Sequence, residues 1–485
     1  MLQILNSLFY TLFILAMGYY FITNLQWYGY KLKRVLFNHT KQWWHFVYFV
    51  IPFVLYSMVD AKTQYSFVVV IVYLILLAYW YKGLDKPLVF TGRVKRFFVA
   101  MLFFALFFAL AFKHFAVVIP IFLGFLVSLL IEKMLFNGFK VKAQKKIEAM
   151  PNMKVVGITA SYGKTGIKNI IAHLLKAKYN TYATPRSVNT LGGVMIDVNN
   201  DLPQNTEVYV VEMGARVEGD IGEISTFVNP HYVVVGKLGP AHIEYFKTME
   251  NIRNTKMEIL KTDRLKQAWV HESAMVKPES NVHTFGEKSN LDIRSNIPAP
   301  TYIIEDVKAT LDATSFTLQG VRYSANILGA FNAMNLAAAV LVAKELGLTD
   351  EQIQTQLSTL EPVAHRLQRI DAGGKVILDD SFNGNIDGMM AAFDLATTYE
   401  GRKVVITPGL VEVDDDLNVQ VAKRANEVFD VVVVTGDLNY AIFKEYVDAD
   451  KLVKLASKSG MEEMLVEQTQ AGDLILFAND APSFV

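Results

Sequence analysis

The chain has 485 residues, of which 52% are hydrophobic and 19% charged, a balance too apolar for one ordinary water-soluble enzyme. Its formal net charge of +0 offers no long-range pull toward nucleic acid, and no nucleic-acid partner is expected. With Cys 0, disulfides, iron–sulfur clusters, thiolate zinc sites and a cysteine nucleophile are excluded.

Apolar runs come first along the chain. Residues 2–24, 43–59, 66–81, 96–112 and 114–132 each have roughly the length needed to cross a hydrocarbon core of about 30 Å. They predict a membrane α-helical block over residues 1–135 with about five transmembrane helices, the last two also admitting one kinked hairpin around Lys113, His114 and Pro120. The first run is no cleavable signal peptide, because its start lacks Lys or Arg and no small-residue cleavage site precedes the basic stretch 31–34. Cations fix the orientation. One set of loops holds Lys31, Lys33, Arg34 and Lys41, then Lys82, Lys86, Arg93, Lys95 and Arg96, then Lys133, Lys140, Lys142, Lys145 and Lys146. The alternate loops offer only Lys62, beside Asp60, and Lys113. With the basic side inward, the N-terminus lies outside and everything after residue 133 faces the cytoplasm, where ATP is. Trp27, Trp43, Trp44 and nearby tyrosines read either as an interfacial aromatic belt or as a groove for a lipid-linked substrate.

After residue 150 the pattern becomes strands alternating with amphipathic helices: "MKVVGIT", "VYVVEMG", "HYVVVGKLG". Such alternation predicts a parallel sheet covered by helices. In "ITASYGKTG" a strand runs through a glycine turn into a helix, which presents backbone N–H groups and a positive dipole end to phosphate. Gly163 permits the turn, Lys164 can reach terminal phosphates, and the Thr165 hydroxyl can ligate magnesium. Ile158 stands where the strict P-loop pattern has its first glycine. Toward the C-terminus, "KVILDDS", "RKVVITPG", "DVVVVTG" and "DLILFAND" repeat the strand-then-loop rhythm of a small Rossmann-like domain. "DDD" at 414–416 reads as a solvated loop rather than a metal site.

The P-loop is followed in order by "TPRSVNTLGG", "VYVVEMGARVEGDIGEI", "GPAHIEYFKTMENIRNTKMEI", "LGAFNAMNLAAAVLVAKELG", "HRLQRI" and "DDSFNGNIDGM". In that order and spacing these segments resemble the Mur ligase family of ATP-dependent amide-bond-forming enzymes, from about residue 150 to the C-terminus. "VVEMGAR", "DDSFNGN" and "FAND" look most like the MurF-type branch, which adds D-Ala-D-Ala to a muramoyl tripeptide. The resemblance implies a P-loop central ATP-binding domain over 150–364 and a Rossmann-like C-terminal domain over 365–485, with ATP and Mg2+ between them. It also implies an acyl phosphate that is captured by an amine.

Residue by residue, the resemblance makes Lys164 and Thr165 the P-loop lysine and the magnesium-binding hydroxyl. Ala160 and Gly166 depart from the family's usual glycine and Thr or Ser without removing a ligand. Glu212 ends an apolar strand, where an unpaired carboxylate would cost several kcal/mol, and its family counterpart binds magnesium. His242 matches the histidine of the second magnesium, and Lys256 a lysine that relatives carry as a metal-binding carbamate. Asn332 and Asn335 share one helix face at i, i+3 spacing, and the family uses the second at the adenine. Arg366 would reach the nucleotide phosphates, Asp380 the ribose or a bound water, with Asn383 beside the nucleotide and Asn385 facing substrate. Asn189 and Thr190 match a loop facing the substrate, although Arg186 and Ser187 depart from its pattern.

Soluble family members carry a domain for the UDP end of the substrate where this chain has its apolar block. The expected partners are accordingly a UDP-linked or lipid-linked muramoyl peptide, D-Ala-D-Ala and the bacterial inner membrane. Competing readings are a Mur-like ligase acting on poly-γ-glutamate or a lipid-linked wall precursor, and a non-catalytic ATP-binding scaffold for wall synthesis.

Overall fold

The structure, a computed structural model, describes residues 2–37, 39–59, 65–84, 86–111, 117–240, 243–287, 299–381, 385–411, 413 and 415–479. The chain divides into two compact units, residues 1–141 and 142–485.

Among the described residues, the apolar runs of the first unit are largely helical. Three helices among the described residues are long and apolar enough to cross a membrane: Ile4–Trp27, Gly92–Ala111 and Ile119–Glu148. Trp43–Met58 and Ser66–Lys82 are shorter apolar helices. The expected 114–132 run begins later and extends further, to Glu148, because its Lys, Gln, Glu and Ala residues are good helix formers. Pro120 sits in its first turn, where a missing N–H leaves no bond unmade, so it opens a helix rather than kinking one. The N-terminal helix is the core of the unit, with 72% of its apolar window buried against 28% for each of the other two long helices.

Between Trp43 and Met58 the helix passes through a π segment, Phe46–Val50. Pro52 has no N–H to give the Tyr48 carbonyl four residues back, and the Tyr73 hydroxyl donates to that oxygen instead at 2.9 Å. Trp44 and Tyr48 are buried beside Trp80, Trp43 is exposed, and Trp27 donates its indole N–H to the Lys86 carbonyl at 3.1 Å. Trp27, Trp43 and Trp44 thus differ in exposure and bonding, while the rings of Trp43 and Trp44 meet edge-on at 6.2 Å.

The second unit holds two sheets. Strands β1 (Lys154–Thr159), β2 (Thr181–Ala183), β3 (Val208–Glu212), β4 (Tyr232–Val235), β5 (Gln267–His271), β6 (Val282–Glu287), β7 (Tyr302–Ala309), β8 (Thr314–Leu318) and β9 (Val321–Ala325) form the first, in the order β2-β3-β1-β4-β5-β6-β7-β8-β9. Pairing is parallel from β2 to β7, as the alternation with helices requires, and antiparallel through β8 and β9. The β8–β9 hairpin turns on Gln319 and Gly320, both at positive φ, which matches the twist of the flanking strands.

Successive strand residues serve opposite faces. Val156, Ile158, Val208 and Val210 pack under helices Lys164–Leu175 and Asn332–Glu345, while Val155, Tyr209 and Val211 pack with Leu191–Asn200 and Asp220–Val228. The second sheet contains β10 (Gln368–Ala372), β11 (Lys375–Asp380), β12 (Lys403–Thr407), β13 (Val431–Thr435), β14 (Leu452–Leu455) and β15 (Leu474–Ala478), in the order β10-β11-β15-β12-β13-β14. All of its neighbouring pairs are parallel except β10–β11. Asp415 and Asp416 are exposed but open the helix Asp415–Val428 rather than lying in a loop, because their charge favours the helix dipole; Asp414 lies outside the described residues.

Candidate active site

The carboxyl ends of β3, β1 and β4 lie side by side, and the loop after β1 carries the phosphate-cradle sequence. Gly163 caps the helix Lys164–Leu175 at φ 76°, a left-handed conformation that glycine adopts without strain. A Cβ there would also fall 2.8 Å from Asn335 Oδ1, so the Asn335 side chain packs directly on the turn. Asn335 in turn donates to Asn332 Oδ1 at 2.9 Å, and Asn332 to the Leu328 carbonyl at 2.7 Å.

Lys164 turns its ammonium onto the Ala160 and Ser161 carbonyls at 2.9 and 3.2 Å, at the mouth of the loop. Burial pushes its pKa down, Glu212 opposes that shift, and Arg366 reinforces it. Thr165 Oγ1 donates to Glu212 Oε2 at 3.0 Å, and Asn189 Nδ2 to Glu212 Oε1 at 3.1 Å. Glu212 is buried and thus meets the pairing that burial demands. Thr190 caps the helix Leu191–Asn200 through the Gly193 N–H, so its hydroxyl serves the loop's shape.

Lys256 is buried near the end of the helix Met249–Met257. Burial, reinforced by the charge of Lys164 and opposed by Asp220, lowers its pKa to about 7. His242 and Asn383 lie outside the described residues.

Arg366 comes from just ahead of the second sheet and Asp380 from within it. Arg366 is held between His365 and Leu367, both at positive φ, in the segment that joins the two sheets. Asp380 ends β11, where burial raises its carboxyl to about 6 against the pull of Arg366 and of the Leu367 backbone. His365 Nδ1 contacts Asp379 Oδ2 at 2.8 Å, and Asp379 Oδ1 accepts the Ser381 hydroxyl at 2.5 Å. Asn385 caps the helix Ile386–Ala396 through the Gly388 N–H at 3.0 Å. An ion pair joins the loop after β4 to the helix Ile386–Ala396 of the second sheet: Lys237 Nζ to Asp387 Oδ2 at 2.7 Å. The carbonyl of the same Lys237 accepts the Ser161 N–H at 3.0 Å, which ties the crossing to the phosphate loop.

The structure therefore gathers Gly163, Lys164, Thr165, Glu212, Asn189 and Asn335 at one sheet edge, with Lys256, Arg366 and Asp380 within electrostatic reach. Sequence reasoning missed Lys168, Lys237 and Asp387. Lys168 is signalled by the helical wheel, because it falls one turn beyond Lys164 and Thr165 on the face that buries Ile171 and Leu175.

A carboxylate paired with a hydroxyl on a P-loop suits magnesium, which takes one or two protein oxygens and completes its shell with phosphates and water. The loop's left-handed glycine and lysine suit a nucleotide's phosphates.

Residues 158–343 match the Mur ligase middle domain. Over 341 residues the chain is 28% identical to UDP-N-acetylmuramoyl-tripeptide--D-alanyl-D-alanine ligase of Bacillus subtilis (strain 168), covering 67% of this chain and 72% of that protein. The Escherichia coli (strain K12) protein of the same name is 27% identical over 303 residues, covering 60% and 66%. Among solved structures, the MurF ligase of Thermotoga maritima in complex with ADP superposes with TM-score 0.58 at 24% identity, covering 70% of this chain and 80% of that one. MurF from Acinetobacter baumannii does so with TM-score 0.59 at 21% identity, covering 70% and 76%. The likeness to these structures places residues of the second unit in the Mur ligase α/β fold.

Proposed function

We propose that the chain is a member of the Mur ligase family, an ATP-dependent, ADP-forming ligase of peptidoglycan precursor synthesis that joins D-Ala-D-Ala to UDP-MurNAc-tripeptide. The observation that carries this reading is the pairing of a P-loop Thr165 with buried Glu212, opposite Arg366 and Asp380, just ahead of and within a second sheet.

The reaction crowds anions together. The tripeptide's terminal carboxylate attacks the γ-phosphorus of ATP, ADP leaves, and an acyl phosphate forms. The dipeptide amine then adds to the acyl carbon, and phosphate departs as the amide forms. Lys164 and Arg366 would neutralise the transferring phosphoryl group and the departing phosphate. Asn335 would meet the adenine, Asp380 with Asn383 the ribose side, and Asn189, Thr190 and Asn385 the substrate. Magnesium held by Thr165 and Glu212, with His242 and a carbamylated Lys256 at a second position, would add electrostatic stabilisation of the phosphoryl oxygens. Closure of the lobes 150–364 and 365–485 would keep water from the acyl phosphate.

The apolar helices support a multi-pass protein of the bacterial inner membrane with the ligase lobes in the cytoplasm. They also favour a second reading of the acceptor, a lipid-linked muramoyl peptide, since confinement to one surface raises effective concentration.

Phosphate release by detergent-purified protein tests the proposal. Release that requires both UDP-MurNAc-tripeptide and D-Ala-D-Ala is the expected result. Release only with lipid-linked precursor or glutamate chains would replace the substrate assignment, and nucleotide binding without amine-dependent release would favour the scaffold. Lys164→Ala should abolish turnover while the protein still extracts with membranes.

A further inference from the structure

Lys168 is buried to 1% exposure of its side chain and lies within the phosphate-loop helix, one turn beyond Thr165. A buried ammonium is strongly unfavourable unless paired and hydrogen-bonded. Lys168 has both kinds of partner. Its Nζ stands 3.3 Å from Glu212 Oε2, the oxygen that also accepts the Thr165 hydroxyl at 3.0 Å. It also donates to the carbonyl of Arg186, a residue at φ 46° in the loop that carries Asn189. That loop reaches the same carboxylate from the other side, Asn189 Nδ2 donating to Oε1 at 3.1 Å. One ammonium thus joins three pieces of chain: the P-loop helix, the end of β3 and the 185–190 loop.

We propose that Lys168 is a positioning residue whose ammonium fixes the Glu212 carboxylate and the Asn189 loop in the geometry that receives a divalent cation beside Thr165. The assignment rests on the reading of Glu212 as a magnesium ligand. Two neutral donors, a hydroxyl and an amide, leave the carboxylate free to turn about its last side-chain bond. The ammonium removes that freedom because it is tied at the same time to the Arg186 carbonyl. Lysine suits the task as a compact charge with three donors, whereas the longer planar guanidinium of arginine would not fit the same buried space.

The test is binding of Mn2+ in the presence of a non-hydrolysable ATP analogue, followed by electron paramagnetic resonance on the full-length protein, with activity measured separately. Lys168→Met is expected to weaken Mn2+ at least tenfold and to raise the Mg2+ concentration for half-maximal rate by a similar factor, with kcat at saturating Mg2+ changed less than threefold. Lys168→Gln keeps a donor without the charge and should show the same loss. It decides the matter if Lys168→Met does not fold. Wild-type Mn2+ affinity in a folded variant would overturn the assignment, as would failure of both variants to fold, which would mark the lysine as purely architectural. Absence of Mn2+ binding in the parent protein, or its persistence in Glu212→Gln, would instead refute the metal reading of Glu212.

Discussion

Lys256 is where chemistry and stability pull apart. An unperturbed lysine titrates at about 10.4, and burial brings this one to about 7. Between those values the unfolded chain holds a proton that the folded chain releases, so stability rises with pH across that window. The penalty for burying Lys256 is complete below about pH 7 and fades toward pH 10. Lys256→Met, which keeps the volume and drops the charge, should therefore melt higher than the parent at pH 6, by a margin that narrows at pH 9, while ligase activity is lost. Calorimetry at the two pH values checks this, and a margin that widens with pH would contradict it. The same depressed pKa leaves a substantial fraction of free amine near neutrality, which is the form that carbon dioxide attacks to give a carbamate. Other residues divide between chemistry and architecture. Thr190 and Asn385 serve as helix caps besides their proposed substrate contacts, and a short polar residue ahead of an apolar run signals such a cap. Lys168 went unnoticed because a single lysine in an amphipathic helix reads as solvent-facing until the wheel is drawn from Lys164.

At the scale of elements, the crossing pair Lys237–Asp387 links the phosphate loop to the second sheet. Its side chains are 47% and 51% exposed, and exposed pairs contribute about 0–1 kcal/mol. Lys237→Ala should accordingly raise KM for ATP about two- to fivefold with little change in kcat. The double exchange Lys237→Asp with Asp387→Lys should restore it at low salt, and added salt should erode the parent's advantage. A KM indifferent to both changes would mean that the pair plays no part in closure. Strands were the most legible elements. β1, β3, β4, β11, β12, β13 and β15 each stand where a short apolar run ends in glycine, a polar residue or a carboxylate. The strands from β5 to β10 were harder to read, because their alternation is short, their pairing changes from parallel to antiparallel, and their register depends on partners distant in sequence. The helix ending at Glu148 outran its apolar stretch because hydropathy marks the part suited to lipid, not the end of helical propensity.

For the molecule as a whole, the absence of cysteine makes topology directly measurable. Single cysteines at Lys62 and Lys113 should react with an impermeant maleimide in intact cells, whereas cysteines at Lys86 and Lys140 should react only after permeabilisation. The opposite pattern would place the ligase lobes outside and remove their supply of ATP. The five apolar helices also differ in how self-sufficient they are. The carbonyl of Tyr48 depends for its hydrogen bond on Tyr73, a side chain from the following helix. Hydrocarbon offers no donor to replace the Tyr73 hydroxyl, so the segment 43–58 entering a bilayer by itself would lack that hydrogen bond until 66–82 joined it. Insertion of these two segments is therefore expected to be a single paired event, and a Phe at position 73 would burden the biogenesis of the protein before it affected any step of catalysis.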